Sequence, residues 1–437
     1  MDKIKILEIL NDYNYWNRSL KDNYARPNYE LKIKSLSKTN EVVVIKGLRR
    51  SGKSTLLLNH IKNLLNETNI KNILFVNLED PRFIGYLDTD LLELIKETYL
   101  QYINPSEKPY IFLDEIQNIP NFEKWINKEY ELNSSHIFIT GSNSSMLSSE
   151  IASTLSGRYV SATVYPLSFK EFLTFKDLPI DTMLDFVDKK IAVFRYFEEY
   201  LKYGAFPKVI LVDDQNKQEL LVSYKDSILL KDIVARYKLK NYNILEQITA
   251  FLLSNSGILQ SATKLKNNFN ISFDMASSYV EYLRNTYMIY EVPKFDYSLK
   301  KQNLNEKKYY SCDLGLSNIF RVPNLQTKGS DIETVVFLEL LRRGFKVYYY
   351  KTSNNYECDF IVQKDNQIVQ LIQVTLSLKD EKTKKRELSV FKKVKEELKL
   401  DDIEQIVITS DEGDTIIYYN DEKIKIINIF EWLLFFR

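Results

Sequence analysis

Three polar clusters in this chain are spaced for chemistry on a phosphate. The stretch Gly47-Leu-Arg-Arg-Ser-Gly52-Lys53-Ser54, followed by Thr55, fits GxxxxGK[ST] in full. Glycines let backbone N–H groups converge on phosphate oxygens, and the N-terminus of a following helix adds a favourable dipole. Lys53 is expected to contact the β- and γ-phosphates and the Ser54 hydroxyl to help hold magnesium, with Arg49, Arg50, Ser51 and Thr55 in the same cradle. Asp114 and Glu115 follow an apolar run, 110–113. Asp114 can accept from magnesium-bound water, and Glu115 can orient and deprotonate an attacking water; an Asp-Glu pair can also cap a helix. Ser142 and Asn143 end the run HIFITG. Either could hydrogen-bond the attacking water or the γ-phosphate, and either could cap a helix over 145–156.

Arg158 follows Gly157 at the end of that helix and precedes an apolar run, 159–164. It is placed either to neutralise transition-state charge in a neighbouring copy or to complement the helix C-terminus. Glu79 and Asp80, before Pro81, either border the magnesium shell or serve the turn. A fourth stretch, LIQVTLS (371–377), carries Gln373 and Thr375 two residues apart, hence on one face of a strand. Nucleases of the PD-(D/E)xK type keep a Glu and a Lys at that spacing, with an Asp on the preceding strand and an acid on a helix. Asp359 fits the Asp, Glu357 lies beside it, and Glu333 or Glu339 fits the helix acid. An amide is a poor magnesium ligand and a hydroxyl cannot replace an ammonium. This domain is therefore expected to be inactive, unless Glu357 or Lys379 fills the vacancy.

These groups need elements to hold them. A β-branched run, 42–45, precedes the glycine loop and helical spacing follows it, so the loop joins a buried parallel strand to a helix. The spacing predicts helices over 242–254, 262–268 and 273–286, then two strands, MIYEVPKF and KKYYSCD: a winged helix-turn-helix. Its candidate recognition helix carries Asp274, Glu281 and Arg284, one minus charge net, which suits packing better than base readout. Lys294, Lys300, Lys301, Lys307 and Lys308 on the wing keep nonspecific phosphate contact as a secondary reading. The last third reads as α/β, with helices near 332–343 and 379–397 between strands.

The 437 residues suit several domains, and 60 basic against 59 acidic residues predict no bulk attraction to nucleic acid or membrane. Two cysteines, Cys312 and Cys358, and two histidines exclude a disulfide framework and a His/Cys zinc site. With no apolar leader and no window of roughly 20 apolar residues, a cytoplasmic location is expected.

GLRRSGKST, YIFLDEIQNIPNFEKW, IFITGSNSSML, LSGRY, YPLSFKEFL, YLKYGAFPKVI, DIVARYKL and KKYYSCDLGL, in this order, resemble the bacterial and archaeal AAA-like ATPases of the AAA_14 and DUF4143 families. The resemblance covers most of the chain. It implies an α/β fold with a P-loop AAA-type parallel sheet core, a helical lid, a winged helix and a C-terminal nuclease-like domain. The corresponding spans are a helical lead-in (1–35), the core (36–168), the lid (169–240), the winged helix (241–325) and the nuclease-like domain (326–437). Pro207 in GAFP is similar to a lid proline that packs near the base, and Arg26 is placed to flank the adenine. The expectation is an ATPase using ATP and Mg2+ as a switch or oligomeric remodeller, a homo-oligomer with a protein partner on its C-terminal half. The alternative is an ATP-gated DNA-processing protein with residual nuclease activity. A small-molecule kinase lacks any acceptor-pocket signature.

Overall fold

Apolar runs bounded by turn residues form five strands: β1 (Val42–Gly47), β2 (Ile73–Asn77), β3 (Tyr110–Asp114), β4 (His136–Gly141) and β5 (Tyr159–Val164). The computed structural model describes residues 1–20, 23–144, 154–322, 327–411 and 413–436. Contacts divide the chain into two units, 1–165 with 285–287, and 166–284 with 288–437. No helix among the described residues is long and apolar enough to cross a membrane.

In the first unit the strands lie in the order β2-β3-β4-β1-β5, every neighbouring pair parallel. Such a sheet needs cover on both faces, so its strands present apolar residues to both. Val42 and Val44, Ile111 and Leu113, and Ile137 and Ile139 enter one core with Ile6 and Leu10 of α1 (Lys3–Tyr13), Leu91 of α4 (Thr89–Tyr102) and Ile126 of α5 (Phe122–Glu131). Val43, Ile45, Phe112 and Phe138 enter the other with Ile33 of α2 (Pro27–Ser37) and Leu56 and Ile61 of α3 (Lys53–Leu64). Parallel pairing brings the C-terminal ends of β1, β3 and β4 to one edge, where open α/β sheets bind ligands.

The second unit opens with helices Phe169–Phe175, Met183–Asp188, Lys190–Tyr203, Pro207–Leu211 and Asp214–Ser227, the last running into a π-helical segment, Ile228–Ala235. Helices Tyr242–Ser254, Ala262–Phe269 and Phe273–Asn285 follow, within a residue of their predicted bounds. Their sheet has three strands, β6 (Ile258–Gln260), β7 (Ile289–Pro293) and β8 (Lys307–Ser311), in the antiparallel order β6-β8-β7. At three residues, β6 is too short to show alternation. The last part is a six-stranded mixed sheet, β13-β14-β12-β11-β10-β9, of β9 (Lys346–Lys351), β10 (Glu357–Lys364), β11 (Gln367–Val374), β12 (Glu404–Thr409), β13 (Thr415–Tyr419) and β14 (Glu422–Asn428). Helix Lys328–Arg342 packs Val336 and Leu340 with Phe360, Ile372 and Ile406 on one face. Helix Glu381–Leu398 packs Leu388 and Phe391 with Ile361, Leu371 and Val407 on the other.

The GAFP turn closes on a buried carboxylate. The Ala205 N–H donates to Asp313 Oδ2 at 2.6 Å, and Asp313 Oδ1 caps helix Leu314–Phe320 by accepting from the Leu316 N–H at 3.2 Å. Burial pushes the Asp313 carboxyl up to about 6, against the hydrogen bonds of Ala205, Leu316 and Gly315 and the charge of Arg342. Gly204, at φ +74°, leaves no space for a side chain, since a Cβ would fall 2.0 Å from Asp313 Oδ1. Gly204→Ala is expected to destabilise the protein by about 2–4 kcal/mol, measured by urea denaturation. Gly329→Ala, at a position with nothing within 4 Å of a Cβ, should change stability by less than about 0.5 kcal/mol.

Candidate functional site

The glycine loop starts where β5 presses on β1. Gly47 has φ +144°, and a Cβ there would lie 2.1 Å from the Val164 carbonyl oxygen, so only glycine fits. Arg50 and Gly52 are also left-handed, with φ of 69° and 99°, and Gly52 is the N-cap of α3. Lys53 opens that helix and is only 3% exposed. Its Nζ donates to the Gly47 and Leu48 carbonyls, each at 3.1 Å, and lies 3.8 Å from Glu115 Oε1. Inside the loop the wholly buried Ser51 hydroxyl has no hydrogen-bond partner. A loop wound on a buried ammonium, left-handed where a Cβ is disfavoured and holding an orphaned hydroxyl, fits a bound phosphate chain.

Asp114 and Glu115 arrive at the end of β3, opposite Thr140 at the end of β4. The Thr140 hydroxyl donates to Asp114 Oδ1 at 2.5 Å and accepts the Glu115 N–H at 2.9 Å, so one side chain places both acids. Burial, then the Glu115 charge, pushes the Asp114 carboxyl up, against hydrogen bonds from Thr140 and Ser54 and the Lys53 charge. Burial also works against ionised Glu115, but Lys53 and Arg49, with hydrogen bonds from Gln117 and Ser142, outweigh it and hold this carboxyl below its ordinary value. Glu115 takes a left-handed backbone, φ 57° and ψ 50°. The Gln117 amide donates to Glu115 Oε2 and to Ser142 Oγ, the latter at 3.1 Å, joining the ends of β3 and β4. Arg49 pairs with Glu79 at 2.9 Å.

The structure thus brings Gly47, Arg49, Ser51, Gly52, Lys53, Ser54, Asp114, Glu115 and Ser142 together, with Asn143 buried next to Ser142. Arg50 and Thr55 are exposed on the loop and the first turn of α3. The helix expected over 145–156 falls largely outside the described residues. Thr140 and Gln117 went unnoticed in the sequence. The only signal for Thr140 is a hydroxyl closing an apolar strand in register with Asp114.

Two expectations are corrected, and Arg158 is placed. Asp80 does not border a metal: it caps a short 3-10 turn, accepts from Tyr13 at 2.8 Å and pairs with Arg82, whose hydrogen bonds lead in holding its carboxyl down at about 2 against burial. Arg26 does not flank a base. It is buried, lies over the Tyr29 ring and donates to the carbonyls of Ser51 and Tyr165 at 3.1 and 3.0 Å, bracing the glycine loop from behind. Arg158 is not brought to its own loop. Val42 pairs with Tyr159 and Gly47 with Val164, so Arg158, six residues before Val164, sits at the opposite end of the strands, about 20 Å away at roughly 3.3 Å per residue. There it donates to Asn127 and pairs with Glu131 at 2.8 Å. Pro207 belongs to the second unit, in the first turn of Pro207–Leu211.

In the second unit a cleft of about 970 Å³ is lined by Glu333, Glu357, Asp359, Gln373, Thr375 and Glu387, among others. Of the two candidate helix acids, Glu333 lines this cleft, while Glu339 pairs with Arg342 and Arg343. Gln373, 2% exposed, accepts the Asp359 N–H at 2.7 Å and donates to Glu387 Oε2 at 2.6 Å. Burial, then the Glu333 charge, pushes the Asp359 carboxyl up to about 8. Lys379 does not fill the vacancy, pairing with Asp411 at 3.0 Å. Lys308 is no exposed wing lysine; it is buried beside Glu333, Glu357 and Asp359. Among the described residues no three His, Cys, Asp or Glu side chains are grouped to hold a metal ion.

Comparison with known proteins finds an AAA domain over the span that contains the glycine loop. Residues 39–173 match the AAA domain family AAA_14, while 194–326 and 328–432 match two domains of unknown function, DUF8612 and DUF4143. The chain is 34% identical over 421 residues to an uncharacterized protein of Methanocaldococcus jannaschii, spanning 93% of this chain and 91% of that one. It is 33% identical over 425 residues to an uncharacterized protein of Haemophilus influenzae, spanning 94% and 98%. Among solved structures, a Walker-type ATPase of Pyrococcus abyssi superposes with a TM-score of 0.48 at 14% identity, over 69% of this chain and 97% of that one. Lys53→Ala should weaken ATP binding at least about 100-fold, since a buried charged contact to phosphate is worth several kcal/mol. Titration with a fluorescent ATP analogue checks this, with unchanged affinity removing the assignment.

Proposed function

Because the chain belongs to the family of AAA-domain proteins that carry a C-terminal DUF4143 domain, we propose that it is a magnesium-dependent ATPase working as a nucleotide-driven switch or oligomeric remodeller. The observation that carries this reading is Glu115. Its carboxylate is kept ionised inside the protein by Lys53 at 3.8 Å and aimed by a left-handed turn, with Gln117 linking it to Ser142. A buried, ionised carboxylate at the ligand-binding edge of a P-loop sheet is equipped to take a proton from water.

The roles divide along the strands. The backbone of 47–54 and the Lys53 ammonium receive the phosphates. Ser54 and Asp114, already hydrogen-bonded to each other, would hold Mg2+, which supplies positive charge to the phosphate oxygens when bound. Asp114 serves as an acceptor, oriented by Thr140. Glu115 accepts the proton of the attacking water at its carboxylate, and Ser142, through Gln117, fixes the rotamer that does so. Arg158 acts in this scheme on the nucleotide of a neighbouring copy, since its own loop lies across the sheet.

The second unit reads as an interaction or assembly module built on a winged helix and a nuclease-like domain. A protein partner is favoured over DNA by the state of the basic residues. Arg284 and Lys307 are paired with Glu291 at 3.0 and 2.8 Å, and Lys308 is buried.

Glu115→Gln should bind ATP as wild type does and release phosphate at least about 100-fold more slowly, as expected for loss of a general base. Thr140→Val keeps the volume but removes both hydrogen bonds, and turnover should fall about 10-fold with binding retained. Wild-type turnover in either variant would overturn the role given. Turnover per subunit should rise with protein concentration and collapse in Arg158→Ala, and a flat profile that survives this substitution would remove the assembly reading.

A further inference from the structure

Lys308 lies on β8, outside the six-stranded sheet, yet its side chain ends in that sheet's cleft. The side chain is 4% exposed, and Nζ stands 2.7 Å from Glu357 Oε1, 3.1 Å from Glu333 Oε1 and 3.6 Å from Asp359 Oδ1. Two residues along the same strand, Tyr310 faces the same way. Its hydroxyl donates to Glu333 Oε1 at 2.5 Å, and its ring stacks on Phe337 of helix Lys328–Arg342 with centroids 4.3 Å apart. Deeper in, Gln373 bridges the Asp359 N–H and Glu387, and Glu387 pairs with Arg386.

We propose that Lys308 is the resident cation of this cleft, a lock that ties the β7–β8 hairpin to the C-terminal domain and keeps the Glu333, Glu357 and Asp359 carboxylates from loading a divalent metal. Burying three carboxyl groups together is unfavourable without a positive charge among them. Lys308 Nζ, paired with all three, supplies that charge. A magnesium or manganese ion would have to come within roughly 2.0–2.2 Å of the same oxygens. Nζ already takes that space. Metal loading and the seated hairpin therefore exclude one another, and a partner that withdraws β8 would remove the cation and leave the carboxyl groups facing one another.

The test follows thermal unfolding of the full-length, nucleotide-free chain with and without Mn2+. The wild-type midpoint should not respond to Mn2+. Lys308→Met should lower it by several degrees, and Mn2+ should restore most of that loss by supplying the missing charge. Glu333→Gln/Glu357→Gln/Lys308→Met should unfold near the wild-type midpoint and ignore Mn2+. A wild-type chain stabilised by Mn2+ overturns the proposal. So does a Lys308→Met chain that loses no stability, or one whose loss Mn2+ leaves unrepaired. Should Lys308→Met fail to fold, the triple variant decides: a folded chain supports the lock, and an unfolded one overturns it.

Discussion

Asp114 and Glu115 are adjacent in sequence and nearly fully buried. Holding such a pair out of water is costly by several kcal/mol unless a cation stands beside it. Lys53 is that cation, and it is confined in turn by the carbonyls of Gly47 and Leu48. The strand order follows from this need. β4 lies between β1 and β3, so the ammonium delivered after β1 and the acids delivered after β3 meet across the end of β4, where Thr140 and Ser142 fill the gap. The Val164 carbonyl against Gly47 and the Arg26 guanidinium on the Ser51 carbonyl fix the loop from two further directions.

The second unit meets a similar electrostatic problem with a different outcome. Glu333, Glu357 and Asp359 converge on a cleft whose neighbouring strand carries Gln373 and Thr375. Gln373 is a hydrogen-bond bridge between β10 and the helix Glu381–Leu398. Lys53 is held by the backbone carbonyls of its own loop, whereas Lys308 comes from a strand of another sheet and is held by three carboxyl groups.

Local pattern carried the phosphate site and most elements. GxxxxGK[ST] after a β-branched run and an acidic pair after an apolar one each report a strand end, and the parallel sheet brings the two together. Helices at 242–254, 262–269 and 273–285 were legible from spacing because their apolar faces are continuous. What stayed hidden depends on contacts between residues distant in sequence. Thr140 gains its role from register with Asp114, Lys308 from the packing of one sheet on another, and Arg26 from a carbonyl 25 residues away. Asp80 looked like a metal neighbour only because its true partners, Tyr13 and Arg82, cannot be read from its flanks.

The left-handed backbone at Glu115 sets an evolutionary limit. A residue with a Cβ pays roughly 1–2 kcal/mol for that conformation, and the buried charge adds to the burden, so glycine or asparagine there would give a sturdier protein. Screens that reward heat resistance alone would therefore discard this glutamate first.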